Sequence, residues 1–339
     1  MKSYDYTLCS GSGNRFLMFD TLRSDLSGLN IAALAAEVSH RFGVDGLLLL
    51  TRDAQGRFGM RMFNTDGSEA EMCGNGIRCV ARLARERYPE ATDTRFVVAS
   101  GGRSYLLTCE EPVYGTLPTY GAEIPLSLHS GDFPPSLAGE GFVGRPVPQL
   151  QSDLSFSFLL PGNPHIVAPV APRSPWLFGS GGRLDTGRLA ALGERANRLR
   201  EVFPRGVNVS LFCRLDEGRI FAATYERGVG ITSSCGTAMT SCATAAALLG
   251  ICGFDATVEV WNRGGRVRCL PRRTPQGLVT RLTGDAAFEA EGTLVLDDRG
   301  AIAADTAAPL DPPADRLQMA RATRRELNET YGLTIADHD

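Results

Sequence analysis

The sequence has no excess of charge of either sign. Across 339 residues, 35 lysines and arginines face 38 aspartates and glutamates, a formal charge of −3. The basic residues are spread along the chain, so there is no electrostatic footprint for nucleic acid or an anionic membrane surface. No run approaches the ~18 to 20 apolar residues needed to span a bilayer. The N-terminus, MKSYDYTLCSGSGNRF, has neither a basic n-region nor an apolar h-region. These absences predict a cytoplasmic protein with no nucleic-acid and no membrane partner. HExxH and paired CxxC motifs are missing, and only four histidines occur (His40, His129, His165, His338), so no metal site is expected. The glycine-rich segments GSGN and GSGGR lack the full GxGxxG context after a strand, which argues against a dinucleotide site. Nine cysteines, an odd number, give no disulfide framework. In a reducing compartment each is by default a small buried hydrophobe.

What is present supports a packed core: 43% of residues are hydrophobic and 22% charged. The length is roughly twice what a single core comfortably serves, which favours two domains. Strands are expected at about 4–8, 16–19, 47–50 and 58–63. Asn30 caps a helix in which Ile31, Leu34, Ala35, Val38 and Phe42 recur at helical spacing, with Gly43 as its stop. A second helix follows the segment NTDGSEAEMCGNG, and short strands at 96–99 and 105–109 close this half. From Pro112 to Gln151 prolines and glycines are frequent, which reads as a long irregular connection. The element order then repeats: strands at 154–160 and 166–170, a helix over 186–199, strands at 207–212 and 220–225, and an Ala-rich helix to Leu249. A hairpin over 258–270 is expected to turn at Gly264-Gly265.

The repeat has sequence marks. Asn64 precedes Cys73 by nine positions, and Glu226 precedes Cys235 by nine. Each cysteine is followed by glycine and a small polar residue, Gly74-Asn75 and Gly236-Thr237, and then by a helix. Asn14, in the glycine loop of the first half, has its counterpart in Asn163. Two similar α/β domains fit this pattern. The tail differs in kind: 314–331 reads as a charged amphipathic helix ending at Gly332, a surface or oligomer-contact element compatible with a homodimer.

A cysteine just before a helix meets unpaired backbone N–H groups and the positive end of the helix dipole, which favour the thiolate. The glycine after it lets a ligand approach the backbone, and the following amides can hold a carboxylate. Two such sites facing one cleft suit inversion of an amino-acid α-carbon without a cofactor. One thiolate removes the Cα proton from one face, and one thiol delivers a proton to the other. Charge developing on the α-carboxylate is met by the amides, which stabilises the transition state more than the ground state. The other seven cysteines keep the packing reading. Asn64, in Asn-Thr-Asp-Gly, also has good turn chemistry. Asn208 within an apolar strand needs a partner. His165 suits either a pocket wall or a satisfied core histidine.

The motifs GSGNRF (11–16), FNTDGSEAEMCGNGIRC (63–79), GNPHIV (162–167), RGVNV (205–209) and ERGVGITSSCGT (226–237) fall in order along the chain. In them the sequence resembles the diaminopimelate epimerase family of cofactor-independent two-cysteine epimerases and racemases. The resemblance implies an α/β (α+β) protein of two pseudo-symmetric domains. Each would be a curved mixed or antiparallel sheet wrapped around a central helix, with the active site in the interdomain cleft. It implies a first domain of 1–123 plus about 286–297, a second of 124–285, and a C-terminal extension of 298–339. Cys73 and Cys235 would be the base and acid pair, with Gly74, Asn75, Gly236 and Thr237 cradling the α-carboxylate. Glu226 would receive the α-amino group. Asn64, Asn163, Asn208 and Arg227 would recognise the distal head of the substrate, with Asn14 and His165 lining the pocket. A guanidinium suits the bidentate grip of a second carboxylate.

The implied reaction is the interconversion of L,L- and meso-diaminopimelate, toward lysine and peptidoglycan, with no cofactor. Arg15 after the loop asparagine, Ile231 within GVGIT and Ala238 after CGT depart from the family pattern, and 131–148 reads as an insertion. Arg15 and Ile231 motivate one alternative, a racemase of another amino acid, such as histidine, on the same fold; an alternative from a different class is a non-catalytic amino-acid-binding protein or redox-sensing dithiol.

Overall fold

Strands β1 (Lys2–Gly11) and β2 (Asn14–Asp20) open the chain as a hairpin. Its turn residues, Ser12 and Gly13, both lie at positive φ, 49° and 102°, the twist that a two-residue hairpin connection requires. Helix α1 (Ile31–Phe42) begins where the Asn30 side chain accepts the Ala33 N–H and ends at the left-handed Gly43, burying Leu34, Ala35 and Val38. The structure, a computed structural model, describes residues 1–91, 93–128, 141–310 and 314–336.

The first unit continues with β3 (Gly46–Arg52), β4 (Phe58–Asn64), β5 (Glu69–Ala70), α2 (Gly74–Arg87), β6 (Arg95–Ser100), β7 (Arg103–Glu110) and β8 (Thr119–Leu126). The second comprises β9 (Arg145–Pro146), β10 (Ser155–Leu159), β11 (His165–Pro169), α3 (Gly187–Arg198), β12 (Asn208–Asp216), β13 (Arg219–Glu226) and β14 (Gly230–Thr232). It goes on with α4 (Gly236–Leu248), β15 (Val258–Asn262), β16 (Gly265–Thr274) and β17 (Gly277–Asp285), whose last residues, from Thr283, belong to the first unit. The chain then returns to the first sheet as β18 (Ala287–Leu296), antiparallel to β1, and β19 (Ile302–Pro309), antiparallel to β18. Helix α5 (Ala314–Tyr331) follows.

The pairings repeat strand for strand. β2 and β3 are parallel, β3 and β4 antiparallel, β4 and β5 antiparallel, β4 and β6 parallel. In the second unit β11 and β12, β12 and β13, β13 and β14, and β13 and β15 follow the same sequence of directions. The protein is two pseudo-symmetric α/β domains, each a curved sheet around a central helix. The central helices are α2 and α4, buried on nearly every side; in α4 every residue from Gly236 to Ala247 is buried, as expected of a helix made of small side chains inside a core. By contacts the chain divides into Met1–Ala122 with Thr283–Gln318, and Glu123–Leu282 with Met319–Asp339.

Two expectations are corrected. The region read as irregular from Pro112 to Gln151 contains β8, hidden by Gly121 and Pro125, both poor strand residues; its ladder with β7 runs from Thr119 to Ala122 and ends before the proline. The hairpin of β15 and β16 turns at Arg263-Gly264, since Asn262 pairs with Gly265. Of the stretch read as an insertion, 131–140 lies outside the described residues. Its later part forms β9, which pairs with β10 as β18 pairs with β1, while Phe142 stacks on Phe158 at 4.4 Å. Residues 298–339 hold β19 and α5, and Leu327, Leu333 and Ile335 are buried in the core of the second unit. Among the described residues no helix is long and apolar enough to cross a membrane.

Candidate active site

Cys73 is the N-cap of α2, with extended backbone (φ −133°, ψ 109°), and its Sγ accepts the Gly76 N–H at 3.3 Å. That hydrogen bond and the helix's positive end favour negative charge on the sulfur. A Cβ on Gly76 would lie 2.8 Å from Leu48 Cδ2 and 3.4 Å from Cys73 Sγ, so a side chain there requires Leu48 to move. Asn75 is buried, and its side-chain amide is spent internally. Its Nδ2 donates to Asn14 Oδ1, and its Oδ1 accepts from Arg78 Nη2 at 3.1 Å. Asn75 can also offer a ligand its backbone N–H in the first turn of α2. Asn14 Nδ2 in turn donates to Asp45 Oδ2 at 3.3 Å. Asn64 closes β4, and its amide goes to Ser68 Oγ at 2.9 Å inside the Asn-Thr-Asp-Gly turn.

In the second unit Cys235 is the N-cap of α4 with nearly the same backbone (φ −136°, ψ 113°). It is buried. Burial and the nearby Glu226 carboxylate push its thiol well above the ordinary range, opposed by hydrogen bonds with Thr237 and the Ala238 N–H. Thr237 Oγ1 lies 3.4 Å from Cys235 Sγ and 3.0 Å from His165 Nε2. His165 is fully buried, and Nε2 is also 3.0 Å from Asn163 Oδ1. Burial first, and the positive charge of Arg227 second, lower the His165 pKa to about 3, so the ring is neutral at physiological pH. Asn208, 1% exposed, approaches His165 Nε2 at 3.4 Å through Nδ2 and accepts the Arg227 N–H at 3.0 Å through Oδ1. Glu226 Oε1 accepts from Thr232 Oγ1 at 2.7 Å.

The strand registers make the two halves equivalent position by position. Phe16 pairs with Gly46 and Gly46 with Asn64; His165 pairs with Asn208, and Val209 with Tyr225 one step along. Gly46 therefore matches Asn208, Phe16 matches His165, and Asn14 matches Asn163 two residues earlier. Within the second unit the structure joins Cys235, Thr237, His165, Asn163, Asn208, Arg227 and Glu226 through one chain of contacts. Within the first it joins Asn14 and Asn75 beside Cys73, while Asn64 belongs to its own turn.

Sequence reasoning passed over Ser12, Arg78, Asp285 and Thr232. Arg78 stands inside the quoted motif GNGIRC, and a charge between apolar helix positions was the available signal.

The departures from the family pattern are absorbed locally. The Arg15 guanidinium is held by Glu289, with Nε and Nη2 each 2.9 Å from Oε2, so the reversed charge is neutralised on β18. Ile231 pairs with Tyr225, packs partly against the second core, and lines a cavity of about 410 Å³ with Gly179, Asp185 and Arg263. Ala238 is buried at the position where the first half has Gly76.

Two half-domains, each with a cysteine capping a buried central helix, define the fold. Solved structures share it: a phenazine biosynthesis protein of the PhzF family from Bacillus anthracis (TM-score 0.60, 15% identity, covering 87% of this chain and all of that one). A probable proline racemase from Agrobacterium radiobacter is similar to the same degree (TM-score 0.60, 15% identity, 87% and 93% covered). At that identity the likeness is of fold alone. In sequence, the diaminopimelate epimerase profile matches residues 6–114 and 159–288. The chain is 32% identical over 298 residues to the diaminopimelate epimerase of Clostridium acetobutylicum, covering 86% of this chain and 85% of that one. It is 31% identical over 344 aligned positions to that of Listeria innocua, covering 97% and 100%. The chain belongs to the diaminopimelate epimerase family.

Proposed function

We propose that the protein interconverts L,L- and meso-diaminopimelate by a two-thiol mechanism without a cofactor. The observation that carries the reading is the duplicated device: a cysteine at the N-cap of a buried helix, followed by glycine and a small polar residue, at equivalent places in both halves. On this reading Cys73 and Cys235 address opposite faces of one α-carbon. The thiolate takes the Cα proton and becomes a thiol; the opposing thiol gives its proton to the other face and becomes a thiolate. Between these steps the electron pair rests on the α-carbon and its carboxylate. The N–H groups of Gly74, Asn75, Gly236 and Thr237 meet that charge.

Glu226 receives the α-ammonium group, next to the thiol whose charge it opposes. Asn64, Asn163, Asn208 and Arg227 take the distal amino-acid head, with Asn14 and His165 behind them. The Asn208 bond to the Arg227 backbone supports this assignment, because it fixes the segment that carries the guanidinium. Neutralisation of Arg15 by Glu289 removes one motive for a different substrate. The protein is proposed to work in the cytoplasm, where its nine free cysteines stay reduced.

The test is L,L-diaminopimelate in deuterated water under reducing conditions, followed by proton NMR and chiral chromatography. Deuterium at one Cα together with appearance of the meso isomer is expected. Absence of both would overturn the assignment, and turnover of amino acids with a single carboxylate would redirect it to another racemase.

A further inference from the structure

Arg78 is a cation with no exposed surface on the central helix of the first unit, and the substrate-binding roles above leave it unused. Its partners include the first residues after Cys73 and the turn of the opening hairpin. Its Nη1 donates to Gly74 O at 2.9 Å, and its Nη2 to Ser12 Oγ at 2.7 Å and Asn75 Oδ1 at 3.1 Å. Its Nε donates to Asp285 O at 3.2 Å. The Asp285 carboxylate, also fully buried, closes the ring: Oδ1 accepts both the N–H and the hydroxyl of Ser12, at 3.0 and 3.3 Å. Ser12 is thereby held in a left-handed conformation that a serine seldom adopts.

Space around the ring is equally committed. A Cβ on Gly284 would come within 2.9 Å of Arg78 Nη2, and one on Gly11 within 2.7 Å of Asn75 O. The equivalent position in the second half, five residues after its cysteine, is Thr240, which reaches the matching carbonyl, Gly236 O, with one hydroxyl at 2.8 Å. The two halves therefore brace their cysteine helices differently: the first with a buried guanidinium and carboxylate, the second with a single hydroxyl.

We propose that Arg78 is a positioning residue, locking Gly74, Asn75 and the Ser12 turn so that the first-half amides are preset for the substrate's α-carboxylate, and that Ser12 and Asp285 are its anchors. The inference rests on the reading of Cys73 as a reacting thiol. Five donors in a planar fork suit this role, because one side chain can tie a helix carbonyl, a side-chain amide and a turn hydroxyl at once; a lysine cannot span all three.

The experiment compares Arg78→Met, Arg78→Lys and Ser12→Ala with the unaltered protein. It measures kcat and KM for diaminopimelate, and the pH profiles of iodoacetamide alkylation at Cys73 and Cys235, resolved by peptide mass spectrometry. For Arg78→Met the expected result is a kcat roughly 10- to 100-fold lower with a much smaller change in KM, since misplaced amides cost transition-state contacts. The Cys73 profile should move to higher pH while that of Cys235 stays in place. Arg78→Lys should recover part of the loss. Should Arg78→Met not fold, Ser12→Ala, which deletes only the hydroxyl between the guanidinium and Asp285, should show the same one-sided shift to a smaller extent. Equal shifts at both cysteines, or an unchanged Cys73 profile and kcat, would overturn the proposal. An unaltered protein inert toward diaminopimelate would sink the substrate assignment but leave the alkylation comparison as a test of positioning.

Discussion

The hydroxyl of Thr237 stands 3.0 Å from Nε2 of His165. Because the same hydroxyl lies 3.4 Å from the Cys235 sulfur, a fully buried imidazole and a candidate catalytic thiol share one partner. Neither group carries charge in the resting state at neutral pH: burial lowers the one and raises the other.

The depressed His165 pKa makes folding stability depend on pH. The unfolded chain binds a proton at this histidine near pH ~6.5 whereas the folded protein does not until about 3, so this contribution is complete above the unfolded value and is lost as pH falls. Between pH 7 and 5 it removes about 2 kcal/mol of stability. Urea unfolding at both values should show His165→Asn losing less than the unaltered protein over that interval. Equal losses would mean that the ring is protonated in the fold.

On the proposed mechanism each thiol is indispensable. Cys73→Ala and Cys235→Ala should each lower epimerisation at least ~100-fold, the usual scale for a lost acid or base. Circular dichroism should stay native, since a capping cysteine holds little core volume. Substantial epimerisation by either variant would mean that the remaining cysteine does not need its counterpart.

Glu226 opposes ionisation of Cys235 by its charge, so Glu226→Gln should bring the thiol back toward its ordinary value. Iodoacetamide at pH 8 should then alkylate Cys235 several-fold faster, with Cys73 as the internal reference. A slower reaction would show that Glu226 serves instead as the base that ionises this sulfur.

Gly76→Ala and Ala238→Gly exchange the residues at equivalent positions of the two halves. The first forces a methyl against Leu48 and Cys73 and should destabilise by about 1–3 kcal/mol. The second relieves no clash and should cost about 0.5–1 kcal/mol through the flexibility of glycine in a helix. Thermal unfolding measures both. Equal effects would show that Leu48 yields readily.

Much of the fold was legible because its signals are local. Asn30 and Gly43 bound α1 by their own chemistry, and the nine-residue spacing from Asn64 to Cys73 and from Glu226 to Cys235 revealed the duplication. β8 was not legible, because Gly121 and Pro125 obscure a strand that its neighbours stabilise. The side chain of Asn75 shows the same division within the site: its place after Cys73 and Gly74 marked it for the cradle, but only the fold shows that its amide is consumed by Asn14 and Arg78.

The sequence by itself determined the family, the two half-domains and the cysteines that begin their central helices, since capping, periodicity and motif spacing act over a few residues. Tertiary structure alone decided that Arg78 is buried. A charge on a helix ordinarily belongs to a solvated face, and this one is inside only because Ser12 and Asp285, 66 and 207 positions away, supply the acceptors that offset its loss of water.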